Sequence, residues 1–294
     1  IVGDMSFGIM CAADAMNAGQ LTDFARHAEA SGLSMIWVPE LYGRDPFITA
    51  ASLLNATNEI SVGTAIANVY VRDARATKSA AYSLQDAYPG RFELGLGLSN
   101  KVGNEPRGHE WLSPIAKMQD FMDRYEDARL MFPCSDNVPC YLAAHGPKLM
   151  DFAAQRLDGA FSYLQTSRFS VEAKKKLGSG RLNLMQPTVF LEDEKSARAA
   201  ARKAISIYLP LENYHRAWRE RGFVDSDFAG EGTDEFVDEL VVWGDDRQIA
   251  TKFKEQFSCG ADHLIIIPVK LDLKNELGWQ RLGNIVKGAG QINA

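Results

Sequence analysis

Two glycines, two residues apart, lie inside a stretch of the sequence that otherwise reads as a β-strand. The stretch is AYPGRFELGLGLSNK, residues 87–101, and the predicted strand Phe92–Leu98 has Gly95 and Gly97 on the same face. Glycine weakens a strand because it adds backbone entropy and offers the core no side chain. Two explanations fit the spacing: a flat ligand lies against the bare backbone, or small residues relieve crowding inside a barrel.

A carboxylate and a series of alternating polar side chains follow two other predicted strands. Glu40 ends the strand SMIWVPE, residues 34–40, where a carboxylate could hydrogen-bond a ligand or move a proton. It could equally pair with Arg44 or cap the next helix. Asn68, Tyr70 and Arg72 alternate as the chain leaves the third strand, so they either line a site or pack between helices.

The segment AAHGPKLM, residues 143–150, ends a strand and starts a helix. Gly146 and Pro147 favour a helix start here, because proline is preferred in the first helical turn. Free N–H groups and the helix dipole would attract an anion such as phosphate, with His145 and Lys148 placed to assist. A helix start also exists without any ligand, so both interpretations are kept.

Composition and motifs exclude several other classes of function. The net charge of −6 and the pI near 5.5 argue against a nucleic-acid partner, which needs a basic face. No apolar run of about 18 residues predicts a membrane span. The five histidines lack metal-ligand spacing such as H-E-x-x-H, and G-x-S-x-G, the hydrolase motif, is absent. We therefore expect no metal and structural roles for His27 and His263, whereas His109 lies in a long loop of the kind that carries reactive groups.

Cysteine usage predicts the compartment. The four cysteines form no C-x-x-C pair and are too few to stabilise 294 residues by disulfides. The N-terminal residues lack the basic start and apolar stretch of a signal peptide. We expect reduced thiols in a cytoplasmic protein.

These candidate residues need a scaffold, and the apolar pattern predicts eight strands that alternate with helices. Strands are predicted at 6–13, 34–40, 61–70, 92–98, 140–145, 159–164, 183–192 and 263–269, and helices at 20–32, 46–57, 74–87, 115–132 and 146–156. This alternation predicts a parallel sheet, closed as a (β/α)8 TIM barrel whose ligand residues gather at the C-terminal strand ends. An open doubly wound sheet is the alternative, but the first turn, CAADAMNAGQ, lacks its glycine-rich phosphate loop. We predict one domain, 1–294, with a helical insertion at about 193–262 between strands seven and eight.

Several blocks, in order along the chain, resemble the luciferase-like monooxygenase superfamily, and within it the deazaflavin (coenzyme F420)-dependent oxidoreductases. The most specific pair is PGRFELGLG followed by AAHGPK, supported by GLSMIWVPELYGRDPF, GHEWLSPIAKMQDFMDRY and GADHLIIIPV. The resemblance implies a TIM barrel, a flavin-like ring across the strand ends and a cis peptide bond at Ala65–Ile66 behind that ring. Carried over onto this sequence, the cofactor-binding residues are Ala65, Ile66, Asn68, Gly95, Gly97, Ser99, Ala144, His145, Gly146 and Pro147.

One departure from the branch concerns the end of the second strand. Sugar-phosphate and alcohol dehydrogenases of the branch have an Asp-His pair there, and this sequence has Glu40-Leu41. The missing histidine base argues against alcohol dehydrogenation by that route, and Glu40 is the predicted catalytic residue. The resemblance implies hydride transfer between F420 and a small organic substrate, in a protein expected to be a homodimer.

Two other functions stay open beside this one. An FMN-dependent monooxygenase on the same barrel would activate oxygen, which the deazaflavin does not. A barrel that binds a ligand without turnover is also compatible, because fold does not determine function. F420 carries a polyglutamate tail, for which Lys101, Arg107 and Lys148 are the candidate partners.

Overall fold

Parallel strands form a closed barrel in the computed structural model, which describes residues 5–134 and 136–291. The strands are β1 (Ser6–Met10), β2 (Met35–Val38), β3 (Ser61–Thr64), β4 (Ala67–Asn68), β5 (Phe92–Gly97), β6 (Cys140–Ala143), β7 (Gly159–Tyr163), β8 (Arg181–Val189), β9 (Val242–Trp243) and β10 (His263–Val269). Their order is β10-β1-β2-β3-β5-β6-β7-β8, and β8 pairs with β10 to close the ring. β4 continues the line of β3, and β9 is a short addition to β8. The predicted TIM barrel is confirmed.

Helices connect the strands and cover the outside of the barrel. Several start after a capping residue, as at Asn17, Asp45 and Asp73, whose side chains accept N–H groups of the first turn. The helices are α1 (Ala18–Ala30), α2 (Pro46–Asn55), α3 (Ala74–Ala87), α4 (Lys101–Asn104), α5 (Pro114–Asp127), α6 (Pro147–Arg156), α7 (Ser167–Leu177), α8 (Glu194–Ile205), α9 (Glu212–Glu220), α10 (Asp225–Phe228), α11 (Asp234–Leu240), α12 (Asp246–Ser258) and α13 (Glu276–Gln291).

Alternation of side chains along each strand divides the core into two layers. Outward residues such as Ile9, Ile36 and Leu142 are fully buried and belong to the cluster that includes the helices. The rings of Trp37 and Phe161 point inward and meet edge to face at 5.0 Å. The barrel interior is therefore a packed core, and a ligand must bind at one of its ends. The buried members of this interior cluster are Met35, Trp37, Ala65, Tyr141, Phe161 and Ile265.

Paired polar groups close the N-terminal end of the barrel. The guanidinium of Arg181 donates two hydrogen bonds to the carboxylate of Glu93. Trp37 Nε1 donates to His263 Nε2 at 2.9 Å, and Ser6 Oγ lies 2.7 Å from His263 Nδ1. Because an indole N–H only donates, the neutral imidazole carries its proton on Nδ1. Burial, assisted by the charge of Arg181, lowers the pKa of His263 to about 3, so the predicted structural role of this histidine is confirmed.

The chain between β8 and β10 folds into helices α8 to α12, which confirms the predicted helical insertion. These helices enclose an apolar cluster of their own that includes Trp218, Phe228 and Phe236, with 4.9 Å between the ring centres of Trp218 and Phe236. Trp218 Nε1 donates to the carbonyl oxygen of Leu164 at 2.9 Å. Because Leu164 directly follows β7, this bond attaches the insertion beside the C-terminal end of the barrel.

Three predicted boundaries are wrong. The first strand ends at Met10, because the chain turns into a 3-10 helix at Ala13–Ala15. The helix predicted to reach residue 132 ends at Asp127, since Ala128 has an extended conformation with φ −64° and ψ 117°. The strand predicted at 183–192 runs from Arg181 to Val189, because Arg181 already pairs with Gly159 of β7 and the pairing with β10 ends at Val189. The predicted domain ends, 1–4 and 292–294, lie outside the described residues.

Two further features bear on the sequence predictions. All four cysteines are free thiols, as predicted, and burial raises the pKa of Cys11 to about 12. Of the helices in 5–134 and 136–291, none has the length and apolar character to cross a membrane. The same ranges contain no group of three or more histidines, cysteines and carboxylates arranged to hold a metal ion.

Candidate active site at the C-terminal end of the barrel

Apolar side chains form a floor at the C-terminal end of the barrel. Met10, Ile66 and Met185 pack on the interior cluster and keep part of their surface exposed. We call these three residues the barrel floor. A partly exposed apolar surface at the mouth of a barrel suits the flat, apolar part of a ligand.

A β-bulge with a cis peptide bond lies at one edge of this floor. The bond Ala65–Ile66 is cis, as the resemblance implied. Three residues, 64 to 66, face two, 94 and 95, between the pairs Gly63↔Glu93 and Ala67↔Leu96. The side chain of Thr64 closes the gap, because its Oγ1 accepts from the N–H of Gly95 at 2.9 Å and donates to the carbonyl of Gly95 at 2.7 Å.

The two glycines of β5 make room for this bulge. A Cβ atom at Gly95 would overlap the carbonyl oxygen of Thr64 and lie 2.7 Å from the ring of Phe161. A Cβ atom at Gly97 would lie 2.7 Å from Cγ1 of Ile66. Protein atoms therefore occupy the space that a Cβ would need at both positions, so no ligand is required to explain these glycines, and their contact with a cofactor stays a prediction. The alternative, relief of crowding inside the barrel, is what the structure shows.

The carboxylate of Glu40 supports the bulge through two partners. Its Oε1 accepts from Arg72 Nη1 at 2.6 Å, and its Oε2 accepts from the backbone N–H of Asn68 at 2.8 Å. Arg72 also pairs with Asp45, the capping residue of α2. The suggested partner Arg44 is wrong, because its guanidinium donates to backbone carbonyl oxygens of residues 13 and 16 instead. Both oxygens of Glu40 are engaged, so the carboxylate holds the backbone behind the floor.

Asn68 connects the bulge to the loop after β5. Its Oδ1 accepts from the N–H of Tyr70 at 3.0 Å, and its Nδ2 donates to Oδ1 of Asn104 at 2.8 Å. Asn104 is fully buried and donates in turn to the carbonyl oxygens of Leu98 and Asn100. Sequence analysis did not identify Asn104. The asparagine Asn100, which caps α4, was the available signal that this loop is folded.

The rest of that loop lies at the rim of the mouth. Ser99 has a left-handed conformation, with φ 57°, at the point where the chain leaves β5. Lys101 lies 3.5 Å from the carboxylate of Glu105. Arg107 donates to the carbonyl oxygen of Leu41 at 2.7 Å, which joins this loop to the one after β2. His109, named as a candidate from the sequence, contacts a tyrosine ring rather than the floor.

The start of α6 has the form that the sequence predicts. Gly146 is the N-cap and offers no capping side chain, and Pro147 occupies the first turn. The space around the α-carbon of Gly146 is open, since a Cβ there would meet no described atom within 4 Å. Ala144 is buried, while Lys148 is exposed beside the first turn. Free N–H groups at an uncapped helix start can receive an anion.

His145 contributes a buried polar atom that no described residue satisfies. Its Nδ1 has no hydrogen-bond partner among the residues that the structure describes, although part of the ring is exposed. Burial lowers the pKa of this imidazole to about 4, so it is neutral at physiological pH. Buried polar atoms are normally paired, and an unpaired one beside a cleft points to a ligand.

Three tyrosines stand beside His145, and sequence analysis did not identify them. The ring of Tyr214 lies 4.7 Å from that of His145, and Tyr163 and Tyr208 lie 5.1 Å from each other. We call Tyr163, Tyr208 and Tyr214 the tyrosine cluster. Tyr163 ends a predicted strand and could have been noticed. Tyr208 and Tyr214 come from the insertion, whose position no sequence pattern gives.

The fold is that of a TIM-barrel protein, and the residues described above form a candidate ligand site at its C-terminal end. The family model described as luciferase-like monooxygenase matches residues 5–263. The chain belongs to this family, which confirms the resemblance found in its motifs.

Similar proteins include methylenetetrahydromethanopterin reductases and a putative coenzyme F420-dependent oxidoreductase. The chain is 29% identical over 180 residues to a 5,10-methylenetetrahydromethanopterin reductase of Methanolobus tindarius, which covers 55% of each protein. It is 21% identical over 304 residues to a putative coenzyme F420-dependent oxidoreductase of Mycobacterium tuberculosis, covering 81% of this chain and 88% of that protein. The chain matches only 55% and 58% of the length of the two methylenetetrahydromethanopterin reductases.

Solved structures support the fold at low sequence identity. An F420-dependent secondary alcohol dehydrogenase, in complex with an F420-acetone adduct, superimposes with a TM-score of 0.79 at 14% identity, over 97% of this chain and 99% of that one. The coenzyme F420-dependent tetrahydromethanopterin reductase of Methanopyrus kandleri gives a TM-score of 0.75 at 16% identity, with the same coverage of 97% and 99%.

Proposed function

We propose that this enzyme transfers a hydride between coenzyme F420 and a small organic substrate at the C-terminal end of its barrel. The observation that carries the proposal is the partly exposed apolar floor beside the uncapped start of α6 and the unpaired Nδ1 of His145. The relative and the solved structures that are named for coenzyme F420 support the choice of cofactor.

The residues at the mouth fit such a cofactor. The barrel floor would carry the ring, with Ile66 behind it and Asn68, Gly97 and Ser99 at its edge. The uncapped N-terminus of α6, with Lys148, would receive the phosphate, and the unsatisfied Nδ1 of His145 lies beside that helix start. When bound and reduced, the deazaflavin supplies a hydride from its C5 position.

Several groups of the chain would orient the cofactor rather than react. Glu40 acts as a positioning residue in this proposal, because both its oxygens are occupied by Arg72 and by the N–H of Asn68. Gly95 allows the bulge to approach β5 and need not contact the cofactor. Arg107 and Lys101 lie at the rim, where a polyglutamate tail would leave the site, although each already has one partner.

We infer that the physiological direction is reduction of the substrate. Leu41, at the end of β2, stands where the related dehydrogenases carry a histidine base, and its side chain is 52% exposed. Glu40 is held in an ion pair and is not free to accept a proton from an alcohol. An acceptor with an activated C=C double bond does not need this base.

Binding of F420 and of FMN tests the proposal. The purified full chain is titrated with each cofactor while the cofactor fluorescence is followed, and F420 is expected to bind at least about tenfold more tightly. Reduced F420 is then mixed with enones, quinones and nitro compounds, and its reoxidation is measured. Tighter binding of FMN, with oxygen consumption, would identify the monooxygenase alternative. Binding of F420 without reoxidation by any acceptor would identify a non-catalytic barrel.

A pair of lysine variants locates the phosphate. Lys148→Ala is expected to weaken F420 binding by about 3- to 10-fold, because it removes a cation beside the helix start. Lys195→Ala is the control, since this exposed lysine lies in the first turn of α8, in the insertion. Equal dissociation constants for the two variants would place the phosphate elsewhere.

A further inference from the structure

The tyrosine cluster occupies the side of the mouth between the barrel and the insertion. The rings of Tyr163 and Tyr208 are 5.1 Å apart and perpendicular, with an angle of 82°. The Tyr214 ring lies 5.4 Å from Tyr208 and 6.5 Å from Tyr163. The role assigned to the mouth so far uses none of their hydroxyl groups.

The position of Tyr163 brings it to the same face as the floor. Tyr163 is the last residue of β7 and pairs with Met185 of the neighbouring strand, which is a member of the barrel floor. Side chains at paired positions of neighbouring strands project to the same side of the sheet. Because Met185 points into the barrel mouth, Tyr163 does as well. Both residues keep part of their surface exposed.

The second tyrosine links the first to the insertion. The ring of Tyr208 packs against that of Tyr163, with 5.1 Å between the ring centres, and Tyr208 contributes to the raised pKa of Tyr163. Tyr208 follows α8 and is also partly exposed, whereas Tyr214 is buried behind the pair. Tyr163 therefore lies on the side of the floor, and Tyr208 lies beside it on the side of the insertion.

The hydroxyl group of Tyr163 can donate at neutral pH. Burial, with the neighbouring Tyr208, raises the pKa of Tyr163 well above its usual value, so this group stays protonated. Of two other polar groups at the mouth, one is engaged in an ion pair and the other is an uncharged imidazole. The carboxylate of Glu40 is paired with Arg72, and the low pKa of His145 leaves its ring neutral.

We propose that Tyr163 is the proton donor of the reaction and that Tyr208 relays its replacement. The proposal rests on the F420-dependent reduction proposed above. The acceptor would be an enone or a related conjugated carbonyl compound. Its β-carbon gains a C–H bond and two electrons with the hydride, the C=C π pair moves toward the carbonyl oxygen, and the reduced cofactor becomes oxidised F420. The enolate oxygen takes the proton of Tyr163, whose oxygen takes one from Tyr208, which is restored from water.

The test compares phenylalanine variants, because a Tyr→Phe change removes the hydroxyl group and keeps the ring. The variants are Tyr163→Phe and Tyr208→Phe. The control is Tyr88→Phe, a partly exposed tyrosine that follows α3 near the opposite end of the barrel. All proteins are first titrated with F420, and the variants are expected to bind it as the wild type does.

The first readout is binding of 4-nitrophenolate to the F420-loaded proteins, at a pH where the free probe is ionised. This coloured anion mimics the enolate oxygen, and its absorption band reports a hydrogen bond donated to it. Tyr163→Phe is expected to weaken its binding by about 10- to 100-fold, and Tyr208→Phe by about 2- to 10-fold. Tyr88→Phe should leave both affinity and absorption band unchanged.

The second readout is single-turnover oxidation of reduced F420 by 2-cyclohexen-1-one. Loss of a general acid is expected to slow this step by about 100-fold or more in Tyr163→Phe, with little change in the enone concentration needed for half-saturation. Equal affinity of wild type and Tyr163→Phe for 4-nitrophenolate, including absence of binding to both, would overturn the proposal. If the two proteins bind 4-nitrophenolate equally but the wild type binds F420 and reduces acceptors, the proposed function stands and Tyr163 is not its proton donor. If the wild type fails to bind F420, both the proposed function and the proton-donor proposal are overturned.

Discussion

The two ends of the barrel differ in whether their buried polar groups are paired. At the N-terminal end, Arg181 pairs with Glu93, and His263 is hydrogen-bonded through both ring nitrogens. At the C-terminal end, Nδ1 of His145 is buried without a partner among the described residues, beside an uncapped helix and a partly exposed apolar floor. The polar groups at the N-terminal end are paired with each other. The C-terminal end combines an unpaired buried polar atom with exposed apolar surface, which is typical of a ligand site.

The difference shows how one barrel separates stability from function. The closed end stabilises the strands by internal pairs that require nothing from solution. The open end keeps its backbone in place through Glu40, Thr64 and Asn68, while the surface that they position stays free. Substitutions at the two ends should therefore have different signatures in stability and in ligand binding.

The largest effect is expected at Gly95, whose missing side chain allows the bulge. Gly95→Ala should lower the free energy of unfolding by about 3 kcal/mol, because its Cβ overlaps a backbone carbonyl oxygen that cannot move without shifting the bulge. Urea denaturation measures the change. Gly288→Ala is the control, since this helical glycine has open space around it, and alanine should raise stability by about 0.5 kcal/mol. A loss below about 1 kcal/mol at Gly95 would show that the bulge adapts.

The next effect concerns the ion pair at the closed end. Arg181→Met should lower the free energy of unfolding by about 2 kcal/mol, because Glu93 is left without its charged partner while only 15% of its side chain is exposed. The double variant Glu93→Gln with Arg181→Met should be less destabilised than the sum of the single variants. Neither variant is expected to change F420 binding. A change in that dissociation constant would mean that the two ends are coupled.

A pH dependence of stability should follow from His263. Its pKa is about 3 in the folded protein, against an ordinary value of 6.5 in the unfolded chain. As the pH falls below 6.5, His263 takes up a proton in the unfolded chain but not in the folded protein. The free energy of unfolding therefore falls by about 1.4 kcal/mol per pH unit. Between pH 7 and pH 5 the wild type should lose about 2 kcal/mol more than His263→Gln. Equal losses in the two proteins, measured by urea denaturation, would contradict the assignment.

The smallest effect is expected at Glu40, and it should appear in binding. Glu40→Gln keeps an acceptor for the N–H of Asn68 but removes the charge that pairs with Arg72. The dissociation constant for F420 should rise by about tenfold, with less than about 1 kcal/mol lost in stability. Glu110→Gln, an exposed carboxylate in the loop after β5, is the control. A complete loss of turnover with unchanged F420 binding would instead restore Glu40 as a catalytic residue.

Local sequence patterns predicted most elements of the fold and part of the mouth. Helix α3 is predicted at 74–87 and found at Ala74–Ala87, because Asp73 caps it and apolar residues recur at helical spacing. The start of α6 at Gly146 and Pro147 was predictable for the same reason. The cis bond at Ala65–Ile66 came from the resemblance to a family, since no local pattern requires it.

Other parts of the site could not be read from short-range patterns. Arg44 was a reasonable partner for Glu40 because it lies four residues away, yet Arg72, 32 residues away, forms the pair. Asn68 donates a hydrogen bond to Asn104, which lies 36 residues away in the sequence. The ring of Tyr208 contacts that of Tyr163 only because the insertion folds back beside β7. Such contacts depend on how the barrel closes and where its loops converge.

The amino-acid sequence by itself determined the alternation of strands and helices, since side-chain periodicity and capping act over a few residues. The tertiary structure decided what the two glycines of β5 are for, which charges pair and which buried atom is left unpaired. These depend on the distances between strand ends, and closure of the barrel sets those distances.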